Sequence, residues 1–476
     1  QANAIDALTT GVVTASIVTT ETVDSLKTLT GTNNAYTIVI SETSASASDL
    51  NAINVLTTAT VDLTNVTSVT SSTLSDLDTL STAINASPAQ FINATNLETS
   101  AVSDSEIDIT SSEETIDSLD AIDVDSIDMT MASGATINVD ATEVTEMLAD
   151  EDAGRFTIGD QNITVTGEIS VGTANSLDAT TTGVVTASIV TTETVDSLKT
   201  LTGTNAYMIT IATSDATTAT ASDLTTINAA TALAVDLTNV TALAGSSLAD
   251  LGTLATAISN SEFSNASGLT TIAVTDTTID ATTLAARIDS YDTINGISGL
   301  TDMTLASGAT INVDASEITA MLADETAGRL TIGDQAITVT GAITVDNANL
   351  LNATTSGTVT ASIATDSTVD SLATLTGTNA YTIIIAASDA TGSEASELQA
   401  IDNATSVTVD VSAITSIEGT YGEITDLYGS SGVSGFGDES ITITGSSLTV
   451  TQANAIDALT TGVVTASIVT TETVDS

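Results

Sequence analysis

The chain contains no histidine, no cysteine and no tryptophan, a single proline (Pro88) and five basic residues among 476. Without histidine and cysteine there is no Ser-His-Asp or Cys-His nucleophilic centre and no imidazole or thiolate zinc site. Disulfides are excluded as well. Five cations against 61 acids leave a formal charge of −56. That balance excludes nucleic acid, whose phosphates need Lys and Arg, and it excludes binding to anionic membrane surfaces. No apolar run reaches the roughly 18 residues of a membrane-spanning helix. Aromatics make up only 2%, too few for a wide core or for the platforms of a sugar-cleaving cleft. Carboxylate pairs are unavoidable among 61 acids, and none is singled out. The expected catalytic and cofactor-binding residues are therefore none, and the chain is not expected to be an enzyme.

What is present is aliphatic and repetitive. Hydrophobic residues reach 42%, enough for a continuous core, which separates the chain from disordered acidic tails. Gln1 to Ser25 returns unchanged as Gln452 to Ser476, giving a period of 451 residues. The chain thus reads as one period of a longer tandem array and the start of the next. The opening block recurs inside the period, at Ala174 to Thr186 and at Ala348 to Gly357. The block from Ser133 recurs from Ser307. The expected units are 1–172, 173–346 and a shorter 347–451, with 452–476 beginning the next period.

A finer rhythm lies beneath. A polar or acidic residue precedes an aliphatic one, and a second aliphatic follows three later, as in Asp49-Leu50 with Ile53, Asp223-Leu224 with Ile227, Glu397-Leu398 with Ile401 and Glu423-Ile424 with Leu427. The leading aliphatics are Ile5, Leu26, Leu50, Leu77 and Val144, with a polar slot near Ser112. They continue as Leu177, Leu198, Leu224, Leu251, Leu284 and Ile318, then Leu351, Leu372, Leu398 and Ile424, and Ile456 restarts the series. That makes sixteen small repeats per period, about 28 residues each. Each pairs a capped helical turn with β-branched runs such as Tyr36 to Ile40, Val61 to Leu63 and Ile163 to Thr166. Such elements cannot bury an apolar face alone and must stack on their own copies. The expected fold is mainly β: a parallel β-solenoid with short helical turns in most rungs, one period spanning roughly 75 Å at about 4.8 Å per rung. The alternative is a string of β-sandwich adhesin modules, which gives no reason for a helical turn between every strand or two.

Three binding chemistries bear on this composition. The glycine-rich stretch Gly429 to Gly435 matches neither GxGxxG nor GxxxxGKS and reads as a turn. Nearly four acids per rung would stack at close spacing, so either salt screens them or Ca²⁺ bridges them. No EF-hand loop or GGxGxDx repeat occurs, no metal ligand can be named, and solvated acids are the favoured reading. Threonine-rich strands suggest ice binding, but rung spacing varies too much for a regular threonine grid. Lys27 and Lys199 sit in VDSLKTL turns, and Arg155 and Arg329 follow the acidic DED and DET segments, where local charge pairing is expected. The sequons at Asn65 and Asn93 are what so Asn- and Thr-rich a chain produces by chance.

The repeat wording TGVVTASIVTTETVDSLKTLTGTN (Thr10 to Asn33), with ASDLNAI (Ala47 to Ile53) and VDLTNVT (Val61 to Thr67), resembles the giant repetitive surface proteins of marine bacteria. It is most similar to those of unicellular marine cyanobacteria, whose relatives include a very large cell-surface protein needed for swimming. The resemblance covers essentially the whole chain and carries over no functional residues. It implies secretion, an extracellular or cell-surface location with attachment to the cell envelope, and a structural or motility-linked role. The expected function is a filament, fibre or surface layer built by self-association, tandem and head to tail. The alternative is the stalk of a calcium-dependent adhesin.

Overall fold

The computed structural model describes residues 1–109, 128–280, 302–386 and 391–470. The polar slot near Ser112 and the aliphatic Leu284 lie outside the described residues. The chain forms two compact units. The first is Gln1–Asp215 with Asp223–Asn239 and Ser261–Ser264; the second is Ala216–Ser222 and Val240–Asn260 with Asn265–Ser476.

Local chemistry sets the helix starts. Ser46, Thr73, Ser170, Ser247, Thr344 and Thr420 each sit in extended backbone just ahead of a helix, and each hydroxyl accepts the amide three residues on. This is the N-cap bond that satisfies a donor the helix cannot use itself. In these helices the acid ahead of the leading aliphatic is not the cap, whereas Glu143 and Glu317, ahead of Val144 and Ile318, stand at the N-cap position but make no side-chain cap bond. Asp49, Asp76, Asp250 and Glu423 stand three residues inside, in the first turn, where the helix dipole favours negative charge. Single helical turns occur in the VDSL segments Val23–Leu26, Val195–Leu198 and Val369–Leu372. Elsewhere the expected turns are full helices, such as the 12-residue Leu74–Asn85 and Leu248–Ser259 and the 10-residue Val171–Thr180 and Val345–Thr354. The architecture is one of many short parallel strands in several small sheets, as expected, but helices contribute at least as many described residues as strands.

The strands are many and short, and they lie in several small sheets. In the first unit one sheet runs Thr14–Ser16, Ala35–Val39, Val61–Asp62, Phe91–Ile92. A second runs Ser44–Ser46, Ser68–Ser72, Thr99–Val102, Asp128–Thr130, Phe156–Thr157, and a third Glu106–Asp108, Thr136–Asp140, Asn162–Ile169, Val185–Ile189, Ala206–Met208. The second unit repeats the scheme, for instance Ser393–Glu394, Ser416–Gly419, Ser440–Ile443, Val464–Thr465. Among the described residues every strand pairing is parallel. Each strand meets its counterpart one repeat away. The shortest step takes Thr186 to Ala206 and the longest Thr278 to Thr310. β-Sandwich modules are built from antiparallel pairs, so this pairing speaks against that alternative.

The core follows the aliphatic rhythm. Leu26, Leu50, Leu77, Val144, Leu177, Leu198, Leu224, Leu251, Ile318, Leu351, Leu372, Leu398, Ile424 and Ile456 are all essentially inaccessible to solvent. Alternate strand residues join them, as Val185, Ala187 and Ile189 do, because side chains along a strand point to opposite faces. Among the described leading aliphatics Ile5 alone is exposed, at 51%.

Candidate functional site

The polar side chains that the fold brings together form clusters repeated along the chain. The most buried involves Asn34, Asn205 and Asn379, in the recurring context of an alanine and a tyrosine. Asn205 Oδ1 accepts the Val185 amide at 2.9 Å, and its Nδ2 donates to Asp178 Oδ1 at 2.7 Å and to the Tyr207 hydroxyl at 3.1 Å. Asn34 makes the same three bonds to Val13, Asp6 and Tyr36. Asn379 accepts from Val359 and donates to Asn352. Tyr207 and Tyr381 in turn donate to the carbonyls of Ala174 and Ala348. Burial pushes both phenols up to about 12; the charge of Asp178 adds to this at Tyr207, while the Asn205 bond opposes it. Each cluster ties a strand to the helix and strand of the preceding repeat.

Carboxylates supply a second device. The first amide of helix Val23–Leu26 donates to Glu42 Oε1 at 2.7 Å, that of Leu74–Asn85 to Asp104 at 2.8 Å, that of Val171–Thr180 to Glu193 at 3.1 Å, that of Val195–Leu198 to Asp215 at 3.1 Å and that of Leu248–Ser259 to Asp276 at 2.8 Å. The acceptor comes from the following repeat in every case. A negative group at a helix N-terminus is stabilised by the free amides and the dipole. Part of the acidic surplus thus caps helices across repeats rather than forming a ligand site.

The cations occupy a third arrangement. Lys27 bridges Asp24 at 2.9 Å and Asp49 at 2.6 Å, and Lys199 bridges Asp196 at 2.9 Å and Asp223 at 2.8 Å. The hydrogen bond to Asp49, then that to Asp24, raises the Lys27 pKa. Burial alone would push Asp49 up, but the bonds from Lys27 and Ser46 outweigh it and its pKa falls. Arg155 pairs with Asp150 at 2.8 Å and Arg329 with Asp324 at 2.6 Å.

In the third copy Ala373 stands where the lysine was, and Asp370 and Glu397 share a hydrogen bond instead. Burial, then the Asp370 bond and charge, raises the Glu397 carboxyl above its ordinary 4.5. Such a group holds its proton more tightly folded than unfolded. It therefore adds stability in acid, and that contribution fades as pH rises through its folded pKa. Ala373→Lys is expected to restore the bridge and stabilise the second unit by about 1 kcal/mol at neutral pH and low salt. Urea melts across pH should show the gain vanish in acid and shrink with salt. A gain unchanged below the ordinary range of Glu397 would refute the pairing.

The remaining sequence candidates are absorbed structurally. Ser430 donates to Asp402 at 2.5 Å and Gly432 donates to Ser430, so the glycine-rich stretch, which leads from the end of helix Tyr421–Gly429 through a short turn into strand Val433–Ser434, packs against a carboxylate, the wrong sign for phosphate. The Asn65 amide donates to the Ile40 carbonyl and that of Asn93 to Asp62, which gives both sequon asparagines a role in joining repeats. Gln161 and Gln335 each accept the amide two residues before them and donate to the repeat preceding them. Glu439, 2% exposed, takes their place in the last copy and accepts from Gly437 and Tyr428. No group of three potential metal ligands occurs among the described residues, and no described helix is long and apolar enough to cross a membrane.

One surface hollow is lined by apolar and polar residues alike, Gln1, Asn3, Glu21 and Ser25 among the polar ones. Helix Ala2–Asp6 and strand Thr14–Ser16 border a cavity of about 460 Å³, lined by Ile5, Ala15, Ile17, Leu26 and Leu29 among others. Ile5 stands 51% exposed there. Sequence reasoning identified Ile5 as a core position but had no means of seeing it uncovered. Comparison of the chain with protein-family models, curated proteins and solved structures found no match in any of the three.

Proposed function

We propose that this chain is a structural repeat protein of the cell exterior, a parallel β-solenoid that serves as a filament, fibre or cell-surface layer. The observation that carries this reading is the pairing rule: every described strand runs parallel to its counterpart in the adjacent repeat. A strand pairing of that kind has no natural end, and each added repeat extends the same core. The polar clusters support the reading. The asparagine, carboxylate and lysine arrangements recur from copy to copy, and each joins one repeat to the next. A catalytic or ligand-binding centre would instead concentrate unlike groups in one place. The acidic surface suits a saline exterior, where the screening length falls to roughly 3–4 Å and like charges on stacked repeats repel little.

Fibre diffraction from aligned protein tests the architecture. The expected pattern has a reflection at about 4.8 Å along the fibre direction, from parallel strands stacked repeat on repeat. Its absence would overturn the solenoid. Antibody labelling of intact cells that make the protein tests the location: label bound without permeabilisation is expected, and label seen only after permeabilisation would overturn an exterior role.

A further inference from the structure

We propose that the groove between helices Ile318–Thr326 and Val345–Thr354 is a docking surface for a second copy of this chain, which presents the same groove turned about a two-fold axis. This rests on the structural reading above and specifies how two arrays join side by side.

The groove lies wholly within the second compact unit. Leu322, Ala323, Thr326 and Ala327 line it from the first helix and the turn that follows, and Asn347 and Leu350 line it from the second helix. They border a volume of about 460 Å³, and no lining residue is charged. The core is served by other positions on the same helices. Ile318 and Met321, and Val345, Ala348 and Leu351, are the buried ones. Leu350 stands beside Leu351 and is 52% exposed, so its side chain adds little to the packing of its own unit.

The corresponding pair of helices in the first unit, Val144–Asp152 and Val171–Thr180, shows what has changed. Leu148, Ala149 and Ala153 match Leu322, Ala323 and Ala327, so the floor is the same. Asp152 is replaced by Thr326 and Ser176 by Leu350, and Ala320 replaces Glu146 on the same helix. Asp152 and Ser176 are exposed, as Thr326 and Leu350 are, so neither replacement fills the core. Together they take charge off the groove and set an apolar knob at its edge.

A second copy is the occupant on grounds of charge and shape. At −56, two copies repel over most of their surface, and approach is least opposed where no charge faces out. Lys27, Lys199, Arg155 and Arg329 cannot offset that repulsion, because each is already in an ion pair. Knob and hollow lie side by side on one face, the condition for a self-complementary two-fold contact. Leu350 of each copy then enters the groove of the other. Helices of 9 and 10 residues offer less than the roughly 800 Å² per partner of a stable complex. One joint is therefore weak, and joints repeated in register along two arrays add up.

Sedimentation equilibrium of the full chain tests this. A monomer–dimer equilibrium is expected that tightens as sodium chloride is added. Glu325 and Asp346 adjoin Thr326 and Asn347 in sequence, and salt screens their repulsion across the joint. Leu350→Ser, the residue of the first unit, should weaken the dimer by at least about tenfold and leave circular dichroism unchanged, because two-fold symmetry removes two leucines from the contact. Asp152→Thr with Ser176→Leu should build a second groove and carry association past dimers. Monomers at every concentration and salt would overturn the proposal, as would a dimer indifferent to Leu350→Ser or a double variant that stops at dimers. A missing 4.8 Å reflection would remove the solenoid reading itself; a missing dimer beside that reflection would remove only this joint.

Discussion

Leu177→Ala is expected to destabilise the first compact unit by about 3–4 kcal/mol, whereas Ile5→Ala, at the same place in the repeat, should change stability by less than about 0.5 kcal/mol. Leu177 is fully buried, and Ile5 is half exposed. Removing a buried leucine forfeits its transfer free energy and leaves a cavity that neighbours fill only in part. Around Leu177 those neighbours are strands and helices on both sides of its repeat, held by the Asn205 cluster and the Glu193 cap, so little collapse is available. Hydrogen exchange at Val185–Ile189 is the suitable measure, because an array of repeats does not melt as one two-state unit. Protection should fall sharply in Leu177→Ala and stay near wild type in Ile5→Ala. Equal losses would show that the covered and uncovered copies are packed alike, contrary to the structure.

The second large effect is electrostatic and polar. Asn205→Ala should cost about 3 kcal/mol, since a buried donor or acceptor left without its partner costs about 1–3 kcal/mol. The change strands the Val185 amide and removes the donor that Asp178 and Tyr207 share. Asn205→Asp keeps the shape but sets a second carboxylate against Asp178. That variant should be strongly destabilised at neutral pH and recover as the solution is acidified, because one proton shared between the two carboxyls restores a donor. Hydrogen-exchange protection at Val185–Ile189, compared with wild type at each pH from 7 to 4, would show it. A variant insensitive to pH would mean that the asparagine amide does not face Asp178.

These two predictions mark what could be read from the sequence. The aliphatic skeleton was legible: the spacing that singled out Leu50, Leu77, Leu224 and Ile424 identifies residues that the fold buries completely. Strand positions were legible too, because Val, Ile and Thr cluster where pleated backbone forms. Helix lengths were not. In Leu74–Asn85 the i, i+3 pair of Leu77 and Leu80 is evident, but the helix runs on through Ser81 and Ala83, small residues with weak periodicity that packing places inside. The identity of the caps was not legible, for a related reason. Asp and Ser or Thr both favour helix starts, and only geometry separates the hydroxyl at Ser46 from the acid at Asp49. The carboxylates that reach back to the previous helix, such as Glu42 and Asp104, lie beyond any local pattern. Asn-Ala-Tyr recurs at 34–36, 205–207 and 379–381, yet its meaning depends on Val185 and Asp178, some 20 and 27 residues before Asn205.

The pairing of each strand with one 20 to 32 residues away also has a consequence in time. Nearly every bond that defines a repeat is closed by the repeat beside it, so the chain never waits for a distant segment to arrive. Loop closure over such spans costs little and hardly grows with total length. A chain emerging end first from a ribosome can therefore complete each repeat on the template of the last as soon as a few dozen more residues are free. The folding time per residue should stay constant however many periods are joined, which lets a very long polypeptide fold at the pace of its own synthesis.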